Sequence, residues 1–295
     1  MHVQRIGRRG FLQRKLGLLA ALGLAPALLP KRVLAGPDMA MVERRAQLIV
    51  RESGYNITVS ITDLNTGVTA AVGGDAIRYP GCTLNMLVLA SVVRDVQQGA
   101  YPLEQVDDAI LYTIRNSSAE RARDLLMLTG GGTVAGGVAK MNAFAKELGM
   151  VNILFDHAPQ FEDDYSAFGR ANVTTANEMN HFLGLLWGAK FLSPEWSQYL
   201  LEKMTHVKPG LNYLIQAGVP ANAAAVVGHK NGYFQTYAGD WVDNDVGVVW
   251  STDPANPYAY AISLYMHDLP EQFGPEIFTG QRLSSLAWNW FDDPS

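Results

Sequence analysis

The hydrophobic and polar positions divide this chain into stretches of different period. Residues 38–53, "DMAMVERRAQLIVRES", place apolar side chains at helical spacing and stop before Gly54. Residues 56–72, "NITVSITDLNTGVTAAV", alternate instead, with Asn65-Thr66-Gly67 as an interrupting turn, which predicts a hairpin. From 83 to about 217 the helical period returns, in segments near 83–98, 103–114, 119–128, 136–148, 174–188 and 194–204. Among them lies "VNILFDHAPQFEDDYSAFGRANV" (151–173), polar, aromatic and without period. A loop that long inside a compact domain is usually functional or disordered. Three strand patterns follow at 224–234, 245–251 and 258–266, and a helical one closes the chain at 275–291.

Strands at both ends with helices between them predict an α+β fold. One antiparallel sheet, drawn from about 36–80 and 218–295, is covered by the two terminal helices, and about 81–217 forms an all-helical lobe. Binding sites in such a layout fall in the cleft between sheet and lobe.

Charge changes the picture at the N-terminus. "GRRGFLQ" (7–13) sets an arginine pair ahead of the apolar "LGLLAALGLAPALLP" (16–30), and Val33-Leu34-Ala35 supplies a small-residue cleavage site. This order predicts a signal peptide over 1–35, of twin-arginine type, and hence export to the bacterial cell envelope. The competing reading, an uncleaved anchor, needs a span of about 20 apolar residues, and this run is shorter and broken by Pro26. Residues 1–35 hold seven of the 23 basic residues and none of the 28 acidic ones. The remainder therefore carries 16 against 28, a net of −12. Such a surface disfavours nucleic acid and anionic membranes, and points to a small-molecule or peptide ligand. One cysteine allows no internal disulfide, and no Cys/His spacing suggests a metal site, so neither metal nor cofactor is expected. A monomer is the expected state.

The single thiol lies in "RYPGCTLNMLVLASVV" (78–93), where Pro80-Gly81 breaks the chain and an apolar helical run begins at once. A helix start favours an anion, which would make Cys82 a nucleophile. The plain alternative is a small buried hydrophobe. Farther along, "NSSAERARDLL" (116–126), the acidic "FEDDYSAFG" (161–169) and "HKNGYF" (229–234) follow in order, as do "MNAFAKELGM" (141–150) and "NVTTANEMNHFLGLLW" (172–187).

This series of stretches resembles the class A β-lactamases and their penicillin-binding relatives, over roughly residues 38–292. The family carries Ser-x-x-Lys on the first turn of a buried helix, a Ser-Asp-Asn loop, an acidic loop with a catalytic Glu, and a Lys-Thr-Gly strand. The resemblance implies an acyl-transfer hydrolase acting on a β-lactam or related cell-wall amide or ester. It places Cys82 at the nucleophile and Asn85 at the lysine, which an amide cannot replace as a base. The backbone N–H groups of Cys82 and Tyr233 would form the oxyanion hole. The loop serine is Ser118 counting back from Leu125-Leu126, or Ser117 by matching Glu120, and both also suit helix capping. Glu162, beside Asp163 and Asp164, is nearest to the catalytic Glu, although a solvated acidic run would look the same. Lys230 is expected to attract a ligand carboxylate, Asn231 to keep a hydrogen-bonding side chain, and Gly232 to admit the ligand close to the backbone. The alternative from the same substitutions is a member that binds its ligand without turnover.

The leader reading carries a direct check. Protein recovered from the cell envelope is expected to begin at Gly36 on N-terminal sequencing; material beginning at Met1 supports the anchor instead.

Overall fold

The computed structural model describes residues 38–161 and 163–292. The signal peptide expected over 1–35 lies outside the described residues. Helix α1 (Met39–Ser53) is opened by Asp38, whose carboxylate accepts from the Ala40 N–H at 3.1 Å, and closed by Gly54 at φ 71°. Strands β1 (Asn56–Asp63) and β2 (Thr69–Val72) form the hairpin. The lobe follows as α2 (Asn85–Gln97), α3 (Asp107–Asn116), α4 (Ala119–Thr129), α5 (Val134–Glu147), α6 (Ala176–Trp187) and α7 (Pro194–Met204). Long strands β3 (Ala225–Gln235), β4 (Trp241–Ser251) and β5 (Ala259–Leu269) precede α8 (Glu276–Asp292).

The sheet is antiparallel throughout, in the order β2-β1-β5-β4-β3, so β3 is an edge. β1 pairs with β5 from Asn56↔His267 to Asp63↔Tyr260, which joins the two ends of the chain as the strand patterns predict. One face is apolar: Ile57, Val59, Ile61, Ile262, Leu264 and Met266 pack with Val42 and Ala46 of α1 and Leu283 and Ala287 of α8. In the lobe, α2 is buried on every side from Met86 to Val93 and packs against α4, α5 and α7. A helix apolar all round belongs in the interior.

Three expectations shift. The helix expected from 83 begins as a 3-10 turn, Gly81–Leu84, and becomes α-helical at Asn85; Leu84 at its cap has no side-chain oxygen to bond the free N–H groups. The helix expected from 103 likewise opens with a 3-10 turn, Leu103–Gln105, before α3. β4 starts at Trp241, four residues before its apolar run, because Asp243, Asn244 and Asp245 are buried in the sheet. The polar side chains of Asp243 and Asn244 hid this start from a hydrophobic pattern.

The polar face of β1 is also not solvated. Thr58 and Ser60 are buried under α6, where Asn180 donates to Ser60 Oγ and Thr62 Oγ1 at 3.1 Å and accepts from Ser263 Oγ at 2.7 Å. Buried polar atoms cost stability unless bonded, and one amide here serves three hydroxyls. Asn180→Ala is expected to lower unfolding stability by about 2–3 kcal/mol, through orphaned partners and lost packing. Urea unfolding with an unchanged m-value reads it.

Candidate active site

The inner face of the sheet brings the lobe to β3. Pairing register puts Lys230, Gly232, Asn244, Val246, Ser263 and Tyr265 on this face. The turn Gly81–Leu84 sits directly on it: Thr83 Oγ1 lies 3.2 Å from the Tyr265 hydroxyl, and Asn244 Nδ2 donates to the Tyr79 carbonyl at 2.8 Å. A side chain at 232 has no room. Its Cβ would lie 2.7 Å from the amide nitrogens of both Cys82 and Thr83. Gly81, at φ 52°, faces β3 in turn, where a Cβ would sit 3.4 Å from the Tyr233 nitrogen. Two glycines thus let strand and turn touch backbone to backbone.

Lys230 is wholly buried. Its Nζ donates to Ser117 Oγ and to the Asn231 carbonyl, both at 2.5 Å. Burial lowers its pKa from the ordinary 10.5 to about 8, and the nearby Cys82 and Asp245 offset part of that effect. The ammonium is thus buried against the Ser117 hydroxyl rather than exposed to solvent.

The two serines separate cleanly. Ser117 ends α3 in the left-handed conformation, φ 53°, and its hydroxyl also reaches the Asn231 carbonyl at 3.3 Å. Ser118 is extended and caps α4, accepting from the Arg121 N–H at 3.3 Å. Ser117 thus faces Lys230, while Ser118, the other candidate for the loop serine, caps α4.

Cys82 lies beside this pair. It is 1% exposed and its Sγ–H donates to the Ser117 carbonyl at 3.8 Å. Asn85 is buried, and neither its Oδ1 nor its Nδ2 has a partner among the described residues. Asn231, expected at the ligand, alternates onto the opposite face with Asp245, where its amide is buried. On that face His229 Nδ1 lies 2.9 Å from Asp245 Oδ1, so His229 is a structural partner within the sheet. Asp243 is raised to about 7, by burial first, with Glu276 adding to the rise. No hydrophobic or charge pattern singled out these buried acids.

The Asn231 carbonyl is met by Lys230 and Ser117, and the Tyr233 carbonyl accepts from Gln160 Nε2 at 3.3 Å. Neither carbonyl is turned inward to β4. In an extended strand the N–H and C=O of one residue point to the same side, so the Tyr233 N–H also points off the open edge of the sheet.

Loop 151–173 is ordered by residues the acidic run did not suggest. Asp156, fully buried, accepts from the Phe168 N–H at 2.6 Å and from the Ser166 hydroxyl, and Asn172 Oδ1 accepts from the Asp156 N–H at 2.7 Å. Of the acidic run, Asp164 pairs with Arg123 at 2.8 Å and Asp163 is exposed. Glu162 lies outside the described residues. Among the described residues no group of three or more His, Cys, Asp or Glu could hold a metal, and no helix is long and apolar enough to cross a membrane.

The sheet of both chain ends, the central helix entered through residue 82, and the loop serine bonded to a strand lysine define a protein of the β-lactamase class. The profile of the Beta-lactamase enzyme family matches residues 41–291, and the chain belongs to that family. Solved structures share the fold: a β-lactamase from Chitinophaga pinensis has a TM-score of 0.71 at 19% identity, covering 84% of this chain and 98% of its own. The class A β-lactamase of the last common ancestor of Gram-negative bacteria gives 0.69 at 23% identity, over 85% and 99%. The TLA-1 extended-spectrum β-lactamase gives 0.70 at 17%, over 85% and 98%. No curated protein sequence matches this chain significantly.

The buried ammonium has a measurable signature. Folded Lys230 holds its proton less tightly than the unfolded side chain, about 8 against 10.5. Below about 8 both states are charged and the full cost of burial is present; between the two values the unfolded chain binds more protons, so stability rises with pH. The stability of the wild type relative to Lys230→Met is therefore expected to climb from pH 8 to pH 10.5, by about 3 kcal/mol. A flat difference across that range contradicts the lowered value.

Proposed function

We propose that this protein is an exported acyl-transfer hydrolase of the β-lactamase type. It opens a β-lactam, or cleaves a related cell-wall amide or ester, by passing the acyl group to a side chain in the Cys82–Ser117–Lys230 cluster. The observation that carries this is the contact of Lys230 Nζ with Ser117 Oγ at 2.5 Å, placed against the backbone of the residue-82 turn. A hydroxyl hydrogen-bonded to an amine of lowered pKa is an activated hydroxyl. The Cys82 and Tyr233 N–H groups, on either side of the Gly81–Gly232 contact, serve as donors to the oxyanion.

One observation favours a second reading, capture without efficient turnover. Asn85 cannot accept a proton, Asp164 is engaged by Arg123, and Asp163 is exposed. Water attack on an acyl-enzyme needs a base, and a loop whose described acids are paired or exposed supplies it slowly. The two readings differ in lifetime rather than in site.

Incubation with benzylpenicillin is expected to add one acyl group per chain, seen by intact mass, with decay over minutes to hours. An adduct that vanishes within the mixing time supports fast hydrolysis when product accumulates. Unmodified mass together with undiminished penicillin removes the β-lactam reading.

A further inference from the structure

Which side chain accepts the acyl group is a separate question, and the cluster answers it differently from the family resemblance. Ser117 and Cys82 are near neighbours with contrasting surroundings. Cys82 is 1% exposed and acts as a donor to the Ser117 carbonyl, a bond that uses the thiol proton. Its neighbour one turn on, Asn85, is an amide and takes no proton. Ser117 is 9% exposed, and its hydroxyl is in contact with an amine at 2.5 Å. Ser117 holds φ 53°, the left-handed conformation that ends α3, and its hydroxyl meets Lys230 there.

We propose that Ser117 is the nucleophile of this site, with Lys230 as its general base, and that Cys82 is a buried positioning residue for the Ser117 backbone. The inference rests on the acyl-transfer reading for its substrate but not for its chemistry. In the step, neutral Lys230 Nζ takes the proton of Ser117 Oγ. The oxygen bonds to the carbonyl carbon, the carbon–nitrogen bond of the amide breaks, and the same proton passes from Lys230 to the departing nitrogen. Nothing is oxidised, and the products are a Ser117 ester and a free amine.

The same hydrogen bond can run either way. With Lys230 charged, Nζ donates to Ser117 Oγ; with Lys230 neutral, the hydroxyl donates and the Asn231 carbonyl still accepts from the amine. A lysine near 8 leaves about a tenth of the amine neutral at pH 7, within the range that general bases use.

The test uses the whole protein and two electrophiles, benzylpenicillin and a fluorophosphonate, which esterifies an activated serine with loss of fluoride. Labelled protein is digested to locate the adduct. Its thiol is counted after unfolding, which reports Cys82 directly because the chain has one cysteine. The expected result is label at Ser117 from both reagents, one titratable thiol per labelled chain, and a labelling rate that falls as pH drops through about 8. Lys230→Met is expected to slow labelling about 100-fold or more. Ser117→Gly is expected to abolish it with the fold intact, since glycine accepts the positive φ, and a thermal melt confirms folding.

Penicillin label on Cys82 with loss of the thiol overturns the inference and leaves the proposed function standing. Fluorophosphonate label at Ser117 without any penicillin adduct keeps the inference and rejects the β-lactam substrate. Ser117 left unlabelled by both reagents, or a pH-independent rate between pH 6 and 10, overturns it.

Discussion

Everything in this structure depends on the pairing of β1 with β5. Eight residues from the start of the described chain zip against the last strand, and roughly 200 residues must be looped out before that pairing is rewarded. The reward is the apolar face it completes, Ile57, Val59 and Ile61 beside Ile262, Leu264 and Met266, buried between the sheet and the terminal helices. Once both ends are committed to that face, the helices between them can only cover the other. The inner face of β3 then meets the lobe, and Lys230 meets Ser117.

The meeting place departs from the rules that the rest of the fold keeps. A lysine is buried completely, a serine holds a left-handed conformation, and the buried Asn85 leaves its amide unpartnered among the described residues. Each of these costs free energy, and the surrounding packing has to offset it. The glycine contact between the residue-81 turn and β3 leaves no slack for relaxation, because it is made by backbone atoms on both sides. Strain and orphaned polar groups gathered in one place are a mark of a site rather than of a core.

The family frame and the family chemistry part company here. Turn, loop serine and strand lysine occupy one place, yet residue 82 is a thiol directed at a carbonyl and residue 85 an amide without partners. The acidic loop is held by its own Asp156 and Asn172, while Arg123 draws Asp164 toward α4. Gln160 closes the loop onto the strand edge through the Tyr233 carbonyl, the same edge whose outward row of backbone groups frames the site. A fold can preserve the positions of chemical groups while exchanging the groups themselves.

The amino-acid sequence determined what periodicity can carry. Helix segments, the hairpin with its Asn65-Thr66-Gly67 turn, the aperiodic loop and the strand patterns at both chain ends were readable, because local spacing and side-chain type decide them. The stretches around 82, 117 and 230 were brought to one site only by their resemblance to the β-lactamase family. What the sequence left open was which groups face each other. Ser117 and Ser118 are neighbours of identical chemistry, and the choice between them is made by a helix end, where one residue turns left-handed toward Lys230 and the next caps α4. Asn231 and Lys230 are adjacent too, and strand alternation sends them to opposite faces. Asp243 precedes the apolar strand pattern and Asp245 opens it, and only tertiary packing supplies the Phe273 N–H that bonds the first and the His229 ring and Ile215 N–H that bond the second. Local composition sets which elements form; long-range contacts, which no local window contains, decide where each side chain points.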